Sequence, residues 1–320
     1  MKHLLLLLIL ASGMTAHVGA QKSIRYYNVE WKECEVAHAR FLSVIEHTDS
    51  GWHRIDYYLV KTPKLQMDGW YLDSAEKIPV GQFVYAYPDQ KLAMKGRYFN
   101  GRKKGTWLTY HFNGMIADST TYLAGDPVGT SLKWYPNGYP ADSSIHNPDG
   151  SGMEVTWFDN GNLSSAGLFT AGRKMHGKSQ FFHKIGTLSA IELYDHGQLM
   201  QKQFYDENGQ AIADTASRDR PATFKGGIDA WLKYLDNHLH FPDYKITNSD
   251  QAAVVVSFTV DEDGNVKDPF VSTPFYPPFE KEALYAINRS PKWLPAIEHN
   301  RYVQASCRQP VIFKNAPNEQ

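Results

Sequence analysis

Cysteine is nearly missing from this chain: Cys34 and Cys307 are the two in 320 residues. Two thiols without clustered histidines do not make a zinc site. Their wide separation leaves two readings open, a disulfide, which an exported compartment permits, or two separate buried thiols. Excess charge of one sign is missing too, with 33 Lys and Arg against 34 Asp and Glu. Nucleic-acid binding needs a concentrated positive field, which this balance does not offer. After the first 20 residues no apolar run is long enough to span a bilayer. The G-x-S-x-G, P-loop and H-E-x-x-H motifs are all lacking. The 13 histidines are scattered. His238 and His240 lie two apart, a spacing that does not share a helix face, and the carboxylates form no acid–base pair pattern. The expectation is a non-enzymatic protein with no catalytic residues, no cofactor and no metal site.

What is present begins with an apparent targeting segment. Lys2 and His3 precede the apolar run Leu4 to Leu10, and small residues lead to Val18-Gly19-Ala20. This reads as a secretory signal over residues 1–20, cleaved before Gln21. An uncleaved anchor is the rival reading, although the apolar stretch is well short of the roughly 20 residues of a spanning helix. The chain is globular in composition and rich in aromatics and glycine, with 19 Tyr, 16 Phe, 8 Trp and 24 Gly. That composition favours short strands and tight turns.

The middle of the chain repeats. Asn113-Gly114, Asn137-Gly138, Asn160-Gly161, Ile185-Gly186 and Asn208-Gly209 mark turns at glycine spacings of 24, 23, 25 and 23. An aromatic sits three residues before each: Tyr110, Trp134, Trp157, Phe182 and Tyr205. Upstream, the segments starting at Lys64 and Lys91 run parallel to each other. Such a period indicates stacked supersecondary units. Asn-Gly predicts a two-residue type I′ hairpin turn. Hairpins that are marginal alone become stable by burying each other's aromatic faces. The unit Gly105-Thr106-Trp107-Leu108-Thr109-Tyr110-His111-Phe112-Asn113-Gly114 resembles the variant MORN repeat. The resemblance covers residues 54–210 and implies a scaffold. In the next unit Leu132 is read as standing in place of the Trp. Ahead of the repeats lies an N-terminal segment, 21–53, in which 33–45 is read as a short helix. The aromatics are read mainly as core, with a ligand-binding strip on one sheet face as the alternative.

Residues 211–220 are polar and aperiodic, and read as a linker. Beyond them the pattern changes. Ile228, Trp231, Leu232, Leu235 and Leu239 have helical spacing with one apolar face, and Phe241-Pro242 ends the helix. Val254, Val256, Phe258 and Val260 alternate along a strand, followed by the turn at Asp261 to Asn265 and a returning strand. That turn is too short for an EF-hand and lacks its closing Glu, so it reads as a plain hairpin turn. A second helix over 278–288, Pro291-Lys292-Trp293-Leu294-Pro295-Ala296 and a last strand over 302–313 complete the order.

These pieces are similar, collinearly over residues 221–314, to the TonB C-terminal domain family. The matching residues include Phe224-Lys225-Gly226-Gly227, Leu239-His240-Phe241-Pro242, the strand and turn from Val254 to Val266, and Pro310-Val311-Ile312-Phe313. The family's Gly-Lys-Pro-Val turn is replaced here by His299-Asn300-Arg301-Tyr302-Val303. The expected fold class is therefore mainly β, with stacked antiparallel hairpins followed by a C-terminal α+β domain, a helix and three-stranded-sheet unit; residues 315–320 are read as a tail.

The resemblance implies a protein-binding module that takes up an extended segment by β-augmentation. The partner it implies is a protein, with a TonB-dependent outer-membrane transporter in view. The implied location is the periplasm or envelope of a Gram-negative bacterium. The edge is expected on Val303, Gln304, Ala305, Ser306 and Arg308, beside Phe241 and Pro242, and a proline at Ala305 is expected to remove one of its donors. Two other readings stay open: an inner-membrane-anchored energy transducer, and a purely structural repeat scaffold.

Overall fold

The computed structural model describes residues 22–243 and 251–314. The expected signal segment and tail lie outside the described residues. A 17-stranded antiparallel sheet runs from Lys22–Tyr27 to Ala211–Ile212. It is built as a meander of hairpins; Gly129–Trp134 continues it by pairing with Ile116–Leu123 through Leu132 and Ser119. A small α+β module follows, so the fold is mainly β with a C-terminal α+β region. None of the helices among the described residues is long and apolar enough to cross a membrane.

The repeat's turns are built differently from the type I′ expectation. Asn113 does not have a positive φ, whereas Gly114 does, at +92°. The Gly114 N–H donates to His111 O and the His111 N–H to Met115 O. This is a type I turn closed by a left-handed glycine, the three-residue hairpin with a G1 bulge. The extra residue frees the asparagine side chain for two jobs. Its Oδ1 accepts the Met115 N–H, and its Nδ2 donates to Pro136 O in the next hairpin, 2.8 Å away. Asn137 and Asn160 reach Asp159 O and Lys184 O in the same way.

A second ladder lies beside the first. The Tyr58, Tyr87 and Tyr135 hydroxyls donate to Ala86 O, Tyr110 O and Trp157 O. His111 and His183 take the same position, bonding Trp134 O and Tyr205 O. The asparagines were legible as turn residues. Their role in tying one hairpin to the next was not.

On one face of the sheet, here called the inner face, aromatic rings lie over glycines. A Cβ on Gly96 would sit 2.1 Å from the Trp107 ring, and one on Gly69 would sit 2.2 Å from Phe83. These two rings form a small core with Met67, flanked by Tyr71, Tyr85, Met94, Tyr98 and Tyr122. One repeat later the register puts Ser131, not Leu132, in the place of Trp107. Ser131 is buried while Leu132 is exposed on the opposite face. From here the inner face turns polar. Lys133 pairs with Asp142 at 2.7 Å, and the Ser144 hydroxyl donates to Asp142.

The expected helix over 33–45 is also corrected. One 3-10 turn, Val36–His38, is all that forms, and Phe41–Thr48 is a strand. Phe41, Ser43 and Ile45 alternate onto the inner face and are buried. Pairing with Gly51–Tyr58 along eight residues outweighs the local helical tendency. The sheet therefore begins at Lys22, ahead of the first recognisable repeat.

The C-terminal module has a single apolar core. Its helices are α1 (Gly227–His238) and α2 (Pro277–Asn288). Its sheet has Gln251–Val260 at the centre, Val266–Thr273 on one side and Ala305–Lys314 on the other. Val254, Val256, Phe258 and Val260 meet Trp231, Leu235, Phe279, Ala283 and Ile287. The expected last strand is broken at Gln304, since Arg301–Val303 pairs instead with Ala296–Glu298. In the hairpin turn, Asp261 accepts the N–H groups of Asp263 and Asn265 and the Asn265 side-chain amide. Burial pushes its carboxyl up, but these hydrogen bonds outweigh that and hold it below the usual range. Cys34 and Cys307 are free, and burial raises both thiols.

The module touches hairpins near both ends of the long sheet. Arg40 donates to Ala253 O at 3.3 Å and lies over the Phe275 ring. Phe270 stacks on Phe112 at 4.6 Å. Lys184 bonds Glu262 at 2.7 Å. The His299 ring stacks on Phe181 at 3.7 Å with its Nδ1 3.0 Å from Glu192, and Asn300 donates to Tyr205 O. Strands lie about 4.8 Å apart, so a small module can reach both Arg40 and Tyr205 only because the sheet curls around it.

Candidate docking edge

The last strand, Ala305–Lys314, pairs along ten residues with Gln251–Val260 and with no other strand among the described residues. The ladder has no register shift, so its hydrogen-bonding groups alternate strictly. Asp261 closes the turn toward Asn265. The backbone groups of Thr259, Ser257, Val255 and Ala253 therefore point toward Val266–Thr273, and those of Val260, Phe258, Val256 and Val254 toward the last strand. Two contacts agree with this alternation. The Ser272 hydroxyl reaches Val255 O, and Arg40 takes Ala253 O beyond the point where the neighbouring strand has ended.

It follows that Ala305, Cys307, Gln309 and Val311, opposite the inward set, spend their N–H groups on the ladder. Ser306, Arg308, Pro310 and Ile312 point outward. Pro310 fits this assignment, because a residue without an N–H is tolerated in a strand only on a free edge. No backbone hydrogen bond joins the outward groups to another segment among the described residues. The edge thus offers donors at Ser306, Arg308 and Ile312, acceptors at all four, and one missing donor at Pro310. The expectation for Ala305 is overturned: its N–H faces Val260, so a proline there would damage the fold rather than the edge.

Beside this edge runs a groove of about 710 Å³ between α1 and the last strand. Trp231 and Leu235 turn their α1 face into the core, but Ile228 is 63% and Leu232 55% exposed. Both line the groove with Phe241, Pro310 and Ile312. Phe241 is anchored by edge-on contacts to Phe279 and Phe313 at 5.3 and 6.4 Å. Pro242 follows it, half-buried.

The expected site residues fall into two groups. Phe241 belongs to the groove. Val303 pairs with Ala296, and Gln304 lines a cleft facing the hairpin sheet together with Ser306 and Arg308. Arg308 contributes an outward N–H, while its guanidinium turns back to Val29 O and the Thr273 hydroxyl. Ile228 and Leu232 were not among the expected site residues. Their signal was an apolar stripe on α1 wider than one three-stranded sheet can cover.

His176, Asp195 and His196 bring one ligand atom each within 4.8 Å on the outside of the sheet. The Asp195 carboxylate is already hydrogen-bonded to His196 at 2.6 Å, and the His196 N–H donates to His176.

Residues 237–315 match the family described as Gram-negative bacterial TonB protein C-terminal. The match supports a TonB C-terminal-type module in this part of the chain, a non-enzymatic protein-interaction domain of cell-envelope proteins. A search of curated proteins found no match. Among solved structures, the GtfA/B complex bound to UDP and GlcNAc is 11% identical over 37% of this chain and 22% of its own, with a TM-score of 0.15. The TcdB2-TccC3-TEV structure is 11% identical over 62% of this chain and 14% of its own, with a TM-score of 0.17. This chain thus spans less than a quarter of either structure, and likenesses this weak carry no argument about its fold.

Proposed function

We propose that this chain is an exported, non-enzymatic envelope protein that captures an extended segment of a partner protein on the outward edge of Ala305–Lys314. The observation that carries this reading is the pairing of unclaimed backbone groups at Ser306, Arg308 and Ile312 with an exposed apolar groove on the same side. A strand added there gains backbone hydrogen bonds from the edge and sets its alternate side chains against Ile228 and Leu232. The missing donor at Pro310 fixes the register, since a partner carbonyl opposite it goes unpaired, and it discourages indiscriminate edge pairing. The TonB-type match makes a TonB-dependent outer-membrane transporter the partner of choice. In this reading the hairpin sheet holds the module from several sides and takes the place of a flexible spacer.

The test is co-purification from Gram-negative envelopes with the full chain, comparing Arg308→Pro and Leu232→Glu with the parent. Arg308→Pro removes an outward donor and leaves the ladder to Val256 and Phe258 intact. The expected result is recovery of an outer-membrane transporter by the parent and its loss with either variant. Equal recovery by a folded Arg308→Pro chain, or recovery of no outer-membrane protein at all, contradicts the proposal.

A further inference from the structure

Between the inner face of the hairpin sheet and the module's sheet lies a second cavity, distinct from the α1 groove and about 1000 Å³ in volume. Its size suits a drug-sized molecule. The hairpin wall carries Met94, Lys103, Trp107, Tyr122 and Lys133; the module wall carries Ser257, Thr259, Phe270, Ser306 and Arg308. One end is closed by Phe270, which stacks on Phe112 and meets Tyr87 edge-on at 5.5 Å.

Both walls of this cavity carry charged side chains. The cavity holds four cations, Lys91, Lys103, Lys133 and Arg308, against two carboxylates, Asp118 and Asp268. Two of the cations are neutralised locally, Lys91 by Asp89 at 2.9 Å and Lys133 by Asp142 at 2.7 Å. The other two have no carboxylate within ion-pair distance among the described residues, and they stand on opposite walls. The Lys103 ammonium rests on the Trp107 and Tyr122 rings at 4.5 and 4.8 Å. Arg308 is held by neutral oxygens alone, those of Val29 and Thr273. Asp118 and Asp268 lie within ion-pair distance of neither cation, so an anion between Lys103 and Arg308 would be the direct counter-charge of both, and the ring-lined walls favour a flat apolar body.

We infer that this cavity is a binding site for a small anionic molecule with a planar ring system. Its carboxylate, sulfonate or phosphate group lies between Lys103 and Arg308, and its ring lies against Met94, Tyr122 and Phe270. Polar contacts come from the Ser306 and Thr259 hydroxyls. The site shares Ser306 and Arg308 with the docking edge but uses their side chains, which line the cavity, whereas strand capture uses their backbone groups.

The test uses the full chain and 1-anilinonaphthalene-8-sulfonate, a flat anionic dye, titrated by calorimetry and fluorescence. One dye per chain is expected. Lys103→Glu and Arg308→Glu should each weaken it at least tenfold, Lys103→Gln should weaken it less than Lys103→Glu, and Thr109→Trp should block it by filling the cavity. Thermal melting confirms that each variant is folded, and the Gln variant keeps the test open if a charge reversal is not. Thioflavin T, flat but cationic, should show no saturable binding. Unchanged dye affinity in folded Lys103→Gln and Arg308→Glu chains overturns the proposal. So does equal binding of the cationic dye, and so does loss of binding through Ile228→Glu in the α1 groove or Leu168→Glu on the outer face, because the dye would then sit elsewhere.

Discussion

The hairpin sheet and the C-terminal module bury themselves by opposite means. The module gathers residues distant in sequence, from Phe224 to Phe313, around one apolar centre in which Val254, Val256, Phe279 and Ile287 are fully enclosed. The sheet has no such centre among its described residues. It carries two small clusters, around Trp107 and around Phe181, separated by a polar stretch. It is held instead by contacts one hairpin apart, rings over glycines on its face and asparagine and tyrosine bonds at its turns. A core that depends on every member should fail as a unit. A stack that depends on neighbours should fail locally, as repeat architectures do.

The largest effect is expected in the module. Phe279→Ala removes a fully buried ring touched by Phe241, Phe275 and Phe313, at a cost of about 3–5 kcal/mol. Denaturant unfolding should shift by that amount, and hydrogen exchange should rise through α2 and the central strand together. If exchange rose only beside residue 279, the module would not be one cooperative unit.

Next comes Gly96→Val in the sheet. The new side chain occupies the place of the Trp107 ring, and overpacking of this kind costs about 1–3 kcal/mol. Exchange should increase in the strands Leu92–Phe99 and Arg102–Tyr110 while the strands around Phe204 stay protected. Smaller again, Asn137→Ala removes a turn bond and an inter-hairpin bond that are both exposed, for about 1 kcal/mol, read as a small loss in the chemical-denaturation midpoint.

The smallest effect depends on pH. Burial raises the Glu154 carboxyl, and the neighbouring Asp142 carboxylate adds to the rise. A carboxyl raised in the folded state favours folding most below its ordinary range, and that contribution is lost as pH rises through the folded value. Glu154→Gln should therefore stabilise the chain near neutral pH and lose that advantage at about pH 4 and below. Stabilisation that grew on acidification would have the wrong sign.

Much of this was legible in the residues. The strand from Ala252 to Val260 alternates cleanly, its turn carries Asp and Gly, and the helix that follows has apolar residues at helical spacing, so the module's elements fell close to their observed limits. The repeat period was plain from the glycines. What escaped depended on partners remote in sequence. A helix over 33–45 is locally reasonable, and only pairing with Gly51–Tyr58 makes part of it a strand. Asn-Gly indicates a tight turn but does not choose between a type I′ loop and a G1 bulge; the bonds to the next hairpin accompany the bulge. Ile228 and Leu232 look like core from their spacing, and only the placement of α1 at the strand's outer side leaves them exposed. The same limit applies at Ala305, where strand membership was readable but the direction of the N–H was not.

Strand capture requires an open, outward-facing margin along Ala305–Lys314, and amide exchange measured residue by residue along that strand in the free chain tests for it most directly. Slow exchange at Cys307, Gln309 and Val311 alternating with fast exchange at Ser306, Arg308 and Ile312 is the predicted pattern. Uniformly slow exchange at all six would mean that the margin is already occupied, and the capture of a partner strand there would be contradicted.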